Sequence, residues 1–239
     1  MIVSYEGVLM PYLGCRRKSF PPLSLRDLLD NVVVNCRTRV AVITEKDVDC
    51  LSQVFADTAQ PELWGWSGAS RLLPNGVRQT FPLDGETQEI LAKADVLLEN
   101  EGLSHLVRIE PGRLSMAWSG LRAVEAGEAR VAARRALGRL GHTQNLVLAE
   151  TSDSIELRLH TLVDRVIHTL IEELPPEAPV AFLGSDHRDV NRYRALRDRL
   201  LDVLVTPLSA KPEADVCLRP PDQLLDFFTH WVCARGEGR

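Results

Sequence analysis

The 239-residue sequence predicts an α/β protein: a parallel sheet with helices on both faces, interrupted by an inserted α+β segment. Three observations predict it. Short, β-branched apolar runs (residues 2–9, 39–44 and 179–184) have the length of buried strands. They alternate with segments of helical period, as a doubly covered parallel sheet requires. Between residues 84 and 160 the texture changes to two helical stretches and about four strand-like runs.

Residues 2–9 open the chain as a buried strand, and Pro11, Gly14, Pro21 and Pro22 mark a loop. Residues 24–31 read as a helix with Ser24 at its N-cap, ahead of Leu25, Leu28 and Leu29. Residues 39–44 form a second strand, after which Asp47 caps a helix carrying Val48, Leu51 and Val54. Gly65, Gly68 and the turn Pro74-Asn75-Gly76 punctuate the next stretch, with a strand end at Leu72-Leu73. In the insert, residues 86–100 place Ile90, Leu91, Ala94 and Leu97 on one helix face. Strands are predicted over 106–109 and 114–118, a helix over 126–140, and strands over 145–149 and 155–159. The α/β rhythm then resumes: a helix over 162–173, a strand over 179–184, a helix over 190–201, strands over 201–205 and 216–218, and a closing helix over 221–233.

Composition narrows the function classes. With 45% hydrophobic and 26% charged residues, the chain is neither disordered nor fibrous. No apolar run reaches the roughly 18 residues of a membrane span, and the N-terminus lacks a leader pattern, so no membrane role and a cytoplasmic location are expected. The net charge of -5 gives nucleic-acid binding no electrostatic support. Cys15, Cys36, Cys50, Cys217 and Cys233 include no C-x-x-C pair and read as buried or half-buried free thiols. In a parallel sheet, ligands sit at the carboxyl ends of the strands. Three such ends carry polar residues: Ser4-Tyr5-Glu6-Gly7, Thr44-Glu45-Lys46-Asp47 and Gly184-Ser185-Asp186.

Those strand ends resemble, in order and spacing, the motifs of the haloacid dehalogenase superfamily, and more narrowly the trehalose-6-phosphate phosphatase family. Ser4-Tyr5-Glu6-Gly7-Val8-Leu9 stands where the family opens with Asp-Tyr-Asp-Gly-Thr-Leu. Further matches are Ile43-Thr44-Glu45-Lys46-Asp47 and Gly65-Trp66-Ser67-Gly68. Glu110-Pro111-Gly112-Arg113-Leu114-Ser115-Met116-Ala117 matches a cap segment, and Glu156-Leu157-Arg158-Leu159 leads to Asp164-Arg165-Val166. Gly184-Ser185-Asp186-His187-Arg188-Asp189-Val190 takes the last motif. The resemblance implies a Rossmann-like core (1–83 and 161–239) with an inserted C2-type cap (84–160).

It also implies site residues. Ser4 and Glu6 take the positions of the attacking Asp and of the general acid and base. Thr44 and Arg165 take those that hold phosphate, and Glu156 and Arg158 lie near the sugar-binding cap. Asp186 and Asp189 are candidate metal ligands, with Ser185 at the usual ligand position. The departures fall on the chemistry. A serine hydroxyl is a weak nucleophile without a base, and a phosphoserine hydrolyses slowly. Glu6 keeps the acid on a stem longer by about one methylene, and a misplacement of about 1 Å costs on the order of a hundredfold in rate. Mg²⁺ wants oxygen ligands that include one or two carboxylates, and Ser4 and Ser185 replace both. Arg165 keeps the family lysine's charge in a different geometry.

The leading expectation is a catalytically degenerate protein that binds a sugar phosphate or a sugar-phosphate synthase, with no cofactor. The alternative is an active sugar-phosphate phosphatase with rearranged chemistry, using Mg²⁺ held by Asp186 or Asp189. Side readings are weaker. Arg130, Arg134, Arg135 and Arg139 read as a solvated helix face with Glu125 and Glu128 as partners. His187 reads as a loop histidine, and Trp64 and Trp66 as packing residues that alternatively stack on a sugar.

Overall fold

The computed structural model describes residues 1–10, 23–36, 38–138, 140, 146–159, 162–185, 199–207 and 214–236. Asp186, His187, Asp189, Arg139, His160, Cys15 and most of the helix expected over 190–201 lie outside them.

Contacts divide the chain into two units, one of Met1–Thr80 with Val166–Arg239 and one of Phe81–Arg165. The first contains β1 (Ile2–Ser4), α1 (Leu23–Asn35), β2 (Ala41–Ile43), α2 (Val48–Val54), β3 (Glu62–Gly65), β4 (Ser70–Leu72) and β5 (Arg78–Thr80). The second holds α3 (Gly85–Asn100), β6 (Val107–Glu110), β7 (Arg113–Ala117), α4 (Ala123–Leu137), β8 (Leu146–Glu150) and β9 (Ser154–Leu159). The helix α5 (Leu162–Glu172) leads back into the first unit, followed by β10 (Val180–Gly184), β11 (Leu200–Val205), β12 (Val216–Leu218) and α6 (Asp222–Gly236).

Among the described residues the first unit's sheet has the order β12-β11-β10-β1-β2-β3-β4-β5. The strands from β12 to β3 are parallel, and β4 and β5 add an antiparallel edge. The chain runs from β1 outward to β3 and later returns to place β10 on β1's other side. The order therefore reverses beside β1, the position at whose carboxyl end ligands bind in sheets of this kind. β10 is buried along its whole length, which explains its continuous apolar run: both faces of an interior parallel strand are covered. On one face Val3, Val42, Leu63 and Leu183 join a core completed by α1, α2 and α6. The second unit's sheet is antiparallel, in the order β6-β7-β9-β8. Its strands alternate: Leu114, Met116, Ile155 and Leu157 are buried, and Arg113, Ser115, Glu156 and Arg158 are not. That is the period-two pattern of a sheet with one polar face.

Several boundaries differ from expectation. The first strand stops at Ser4, because the chain coils there: Tyr5 O accepts from Leu9 N (3.1 Å) and Met10 N (3.0 Å), and Gly7 has φ 78°. Only glycine adopts that value without strain. Ser24 lies inside α1 rather than at its cap, and Leu200 belongs to β11 rather than to a helix. β3 and β5 were not expected at all. Cys50, Cys217 and Cys233 are exposed, correcting the expectation of burial, and Cys36 is buried. No helix among the described residues is long and apolar enough to cross a membrane.

Candidate functional site

The carboxyl ends of β1, β2 and β3 are stitched together laterally. Tyr5 N donates to Ile43 O (2.7 Å), and Thr44 N to Trp64 O (2.8 Å). Beyond the strands, Trp66 N donates to Lys46 O and Ser67 N to Thr44 O, both at 2.8 Å. Gly65 lets the loops approach: a Cβ there would sit 2.6 Å from Val48 N and 2.9 Å from Lys46 O. Trp66 (φ 50°) and Ser67 (φ 54°) come next, in the left-handed region, which costs roughly 1–2 kcal/mol per residue outside glycine. Strain of this kind persists where surrounding bonds over-determine it, and it clusters at functional sites.

Ser4 ends β1, half-buried, paired in register with Ile43. Glu6 lies in the coil beyond it. Thr44 Oγ1 donates to Glu6 Oε1 at 2.6 Å, and Glu45 N donates to Glu6 Oε2 at 3.2 Å. Thr44 Oγ1 also accepts from Lys46 N at 3.1 Å. A hydroxyl has one proton to donate, and Thr44 gives it to Glu6. Burial pushes the Glu6 carboxyl above its ordinary value of 4.5, against the opposing pull of the Thr44 and Glu45 hydrogen bonds. Glu6 therefore combines a raised pKa with a fixed orientation, which is the profile of a proton-transfer group.

In the folded state Glu6 holds its proton to higher pH than in the unfolded chain. Its contribution to stability is therefore fully present below about 4.5 and is lost as pH rises through its raised folded value. Thr44→Val removes the donor that favours the charged form. We expect the Glu6 pKa to rise further and the protein to lose about 1.5–3 kcal/mol at pH 7.5, the range for a hydrogen bond to a charged group. The loss shrinks below pH 4.5. A carboxyl-carbon NMR titration with melting curves at both pH values checks this, and a Glu6 pKa that stays put or falls in the variant refutes the hydrogen bond.

Ser185, at the second serine-bearing strand end, is half-buried, one residue past β10. Gly184 is constrained beside it, since a Cβ would meet the Phe182 ring at 2.7 Å. Arg165 lies on α5, half-buried, with its Nη1 buried and without a hydrogen-bond partner among the described residues. An orphaned buried guanidinium nitrogen is costly and marks a donor available to an anion. On the second unit's polar sheet face, Glu110 pairs with Arg108 (2.8 Å) and lies 3.9 Å from Arg113, which in turn pairs with Glu156. Arg158 is exposed beside Arg113 in the register. Among the described residues no ion pair joins Glu128 to the α4 arginines. Arg134 pairs with Glu150 (2.6 Å), Arg135 with Glu101, and Arg122 with Glu125.

Trp64 is fully buried and donates from Nε1 to Glu62 Oε1 (2.6 Å), so it packs rather than stacks on a ligand. Trp66 is half-buried at the strand ends. Among the described residues no three His, Cys, Asp or Glu side chains converge as a metal site. The hydroxyls of Ser4 and Ser185 with the bonded Glu6 are a poor donor set for Mg²⁺, which takes carboxylates.

One group escaped the sequence reading. Glu62, buried, accepts from Arg71 Nε (2.8 Å) and from Arg39 Nε and Nη2 (2.9 and 2.7 Å). Glu173 is bound by Arg71 Nη1 and Nη2 (2.7 and 2.6 Å) and by Arg39. The Arg71 guanidinium lies 5.0 Å from the Trp64 ring centre. A cavity of about 460 Å³ opens beside it, lined by Val33, Arg39, Val40, Pro61 and Arg71 among others. It lies by Arg39, ahead of β2, and by Glu62, the first residue of β3. That is the opposite end of those strands from Thr44. A charged residue opening a four-residue apolar run was the available signal.

No protein-family profile matches the chain, and no curated protein matches it in sequence. Solved structures do match in fold. A trehalose-6-phosphate phosphatase related protein aligns with a TM-score of 0.69 at 14% identity, over 100% of both chains. The Aspergillus fumigatus trehalose-6-phosphate phosphatase aligns at 0.65 and 18%, covering 97% of this chain and 91% of that one. The C-terminal domain of the Candida albicans trehalose synthase regulatory protein aligns at 0.66 and 13%, covering 95% and 92%. At these identities the likeness shows the fold alone: the chain shares the fold of these trehalose-6-phosphate phosphatases and their relatives.

Proposed function

We propose that this chain, built on that fold, is a degenerate phosphatase that binds a sugar phosphate without hydrolysing it. The observation that carries the reading is the pairing of Ser4 with the Thr44–Glu6 contact. The strand end where an attacking carboxylate is expected offers a hydroxyl, and the hydroxyl expected to hold phosphate donates to Glu6 instead. Arg165, whose buried Nη1 has no hydrogen-bond partner among the described residues, suits a phosphate. The polar face carrying Glu156 and Arg158 suits sugar hydroxyls, which need fixed donors and acceptors. A sugar-phosphate synthase is the corresponding protein partner. The same fold in a protein described as a trehalose synthase regulatory protein supports a role by binding.

A second reading rests on the raised pKa of Glu6. An acid poised above the usual carboxylate range is suited to proton transfer, as an active phosphomonoesterase with rearranged chemistry would need. Melting curves with a panel of hexose and disaccharide monophosphates, with phosphate release measured under Mg²⁺ and Mn²⁺, separate the two. Binding without turnover raises the melting temperature with ligand concentration, as a native-state ligand must, and releases no phosphate. Robust release that disappears in Glu6→Gln overturns the degenerate reading. A melting temperature unmoved by every ligand in the panel overturns the binding reading.

A further inference from the structure

The chain leaves the first unit through β5 and re-enters it through α5. β5 is an unusual terminus for a sheet. Its three residues, Arg78, Gln79 and Thr80, are all exposed, and among the described residues it pairs with β4 alone. It therefore contributes no buried apolar surface, which is what holds most edge strands.

Side chains supply two further attachments, one on each face. Arg78 and Gln79 are neighbours, so they point to opposite faces of the sheet. Arg78 lies opposite Leu72, on the face of the main apolar core, and pairs with Asp49 of α2, its Nη1 3.9 Å from Asp47. Asp47 caps α2 and closes the loop that begins at Thr44. Gln79 lies opposite Arg71 and accepts from Arg71 Nη1 at 3.1 Å. The same nitrogen donates to Glu173, the residue after α5. One guanidinium thus ties the strand by which the chain leaves to the end of the helix by which it returns. Arg78 ties that strand to the loop that positions Thr44.

We propose that β5 is a releasable clasp: a polar edge strand pinned on one face by Arg78–Asp49 and on the other by Gln79–Arg71–Glu173, whose peeling from β4 frees the chain leaving the first unit. The side chains of Arg78, Asp49 and Glu173 are 44%, 62% and 38% exposed. Pairs so accessible contribute little and are screened by salt. The strand accordingly belongs to the least stable part of its sheet, where opening is local. Interior strands such as β1, β2 and β10 open only with the whole unit.

Hydrogen exchange of the full chain tests this. The variants are Arg78→Ala and Glu173→Gln, both at exposed positions that leave the Arg71–Glu62 pair in place. Each variant is expected to speed amide exchange in residues 76–82 about twofold to fivefold, the range for an exposed pair. The double variant should show about the product of the two factors, and exchange in β1 and β10 should not change. Raising salt from about 0.05 M to about 1 M speeds the same segment in the wild type and has little effect in the double variant. The clasp is overturned if residues 76–82 exchange at the wild-type rate in the double variant. It is also overturned if β1 and β10 accelerate in parallel, because the pins would then act on global stability rather than on release of the strand.

Discussion

The variant carrying Ser4→Asp, Glu6→Asp, Arg165→Lys and Ser185→Asp is expected to release phosphate from sugar phosphates at least about a thousandfold faster than the wild type, with a requirement for added Mg²⁺. The reason lies in the chemistry of the leaving step. A phosphorylated serine is an ordinary ester and stalls, whereas a carboxylate nucleophile forms an acyl phosphate that water cleaves readily. The Ser4 hydroxyl already occupies the carboxyl end of β1, at the reversal of strand order beside β10. Shortening Glu6 withdraws its carboxyl from Thr44 Oγ1, now 2.6 Å away, and frees that hydroxyl to donate elsewhere. Aspartates at positions 4 and 185 provide the paired carboxylates that Mg²⁺ requires. The single substitutions are expected to stay inactive, because groups that act as a unit are strongly non-additive. Steady-state phosphate release with and without Mg²⁺ is the measurement. A folded fourfold variant that binds no metal would refute the assignment of Ser4 and Ser185 to the two ligand positions.

Glu62→Ala is expected to be the most damaging of the stability changes, costing about 3–5 kcal/mol, the range for breaking a buried ion pair from one side. Glu62 is 2% exposed and accepts from three side chains, those of Trp64, Arg39 and Arg71. Without it, Arg71, itself 3% exposed, keeps Glu173 as its charged partner among the described residues, and the Trp64 indole N–H loses its acceptor. Each of these is a buried donor left unmet, and each adds to the loss. At about 2–4 °C per kcal/mol for a chain of this size, the melting temperature should fall by about 6–20 °C. Glu173 belongs to the same network yet behaves differently. Its hydrogen bond from Arg71, together with that from Arg39, holds its carboxyl down at about 2 despite the partial burial. Its contribution is present above pH 4.5 and is lost as pH falls towards 2. At 38% exposure that contribution is screened to about 1 kcal/mol. Glu173→Gln therefore melts within about 4 °C of the wild type at neutral pH. A drop in Glu62→Ala no larger than that in Glu173→Gln would show that the buried carboxylate is not the centre of the network.

Much of the fold was legible because its signals are local. Val180 to Gly184 could be read as a strand since an interior parallel strand must be apolar throughout. Asp47 could be read as a cap since its carboxylate bonds Asp49 N two residues on. β3 and β5 were not legible. In β3, Glu62 interrupts the apolar pattern and is tolerated only because Arg39 and Arg71 arrive from elsewhere in the chain. β5 has no apolar pattern, and only pairing with β4 makes it a strand. The reach of the first strand was overestimated because Val8 and Leu9 are buried in a coil after Gly7 rather than in the sheet.

By itself the sequence determined the alternation of strands and helices, the insertion of an α+β segment, and which residue types stand at the strand ends. Serines at positions 4 and 185 are a property of the sequence, and no folding alters them. The tertiary structure alone decided how those residues are engaged. Thr44 and Glu6 are 38 positions apart, and Arg71 and Glu173 are 102 apart. Whether a hydroxyl donates to a ligand or to a neighbour, and whether a buried charge is met or stranded, depends on distances of about 3 Å between such groups. Local propensity acts over a few residues and carries no information about those distances. They are set when the sheet orders its strands and brings the polar ends together.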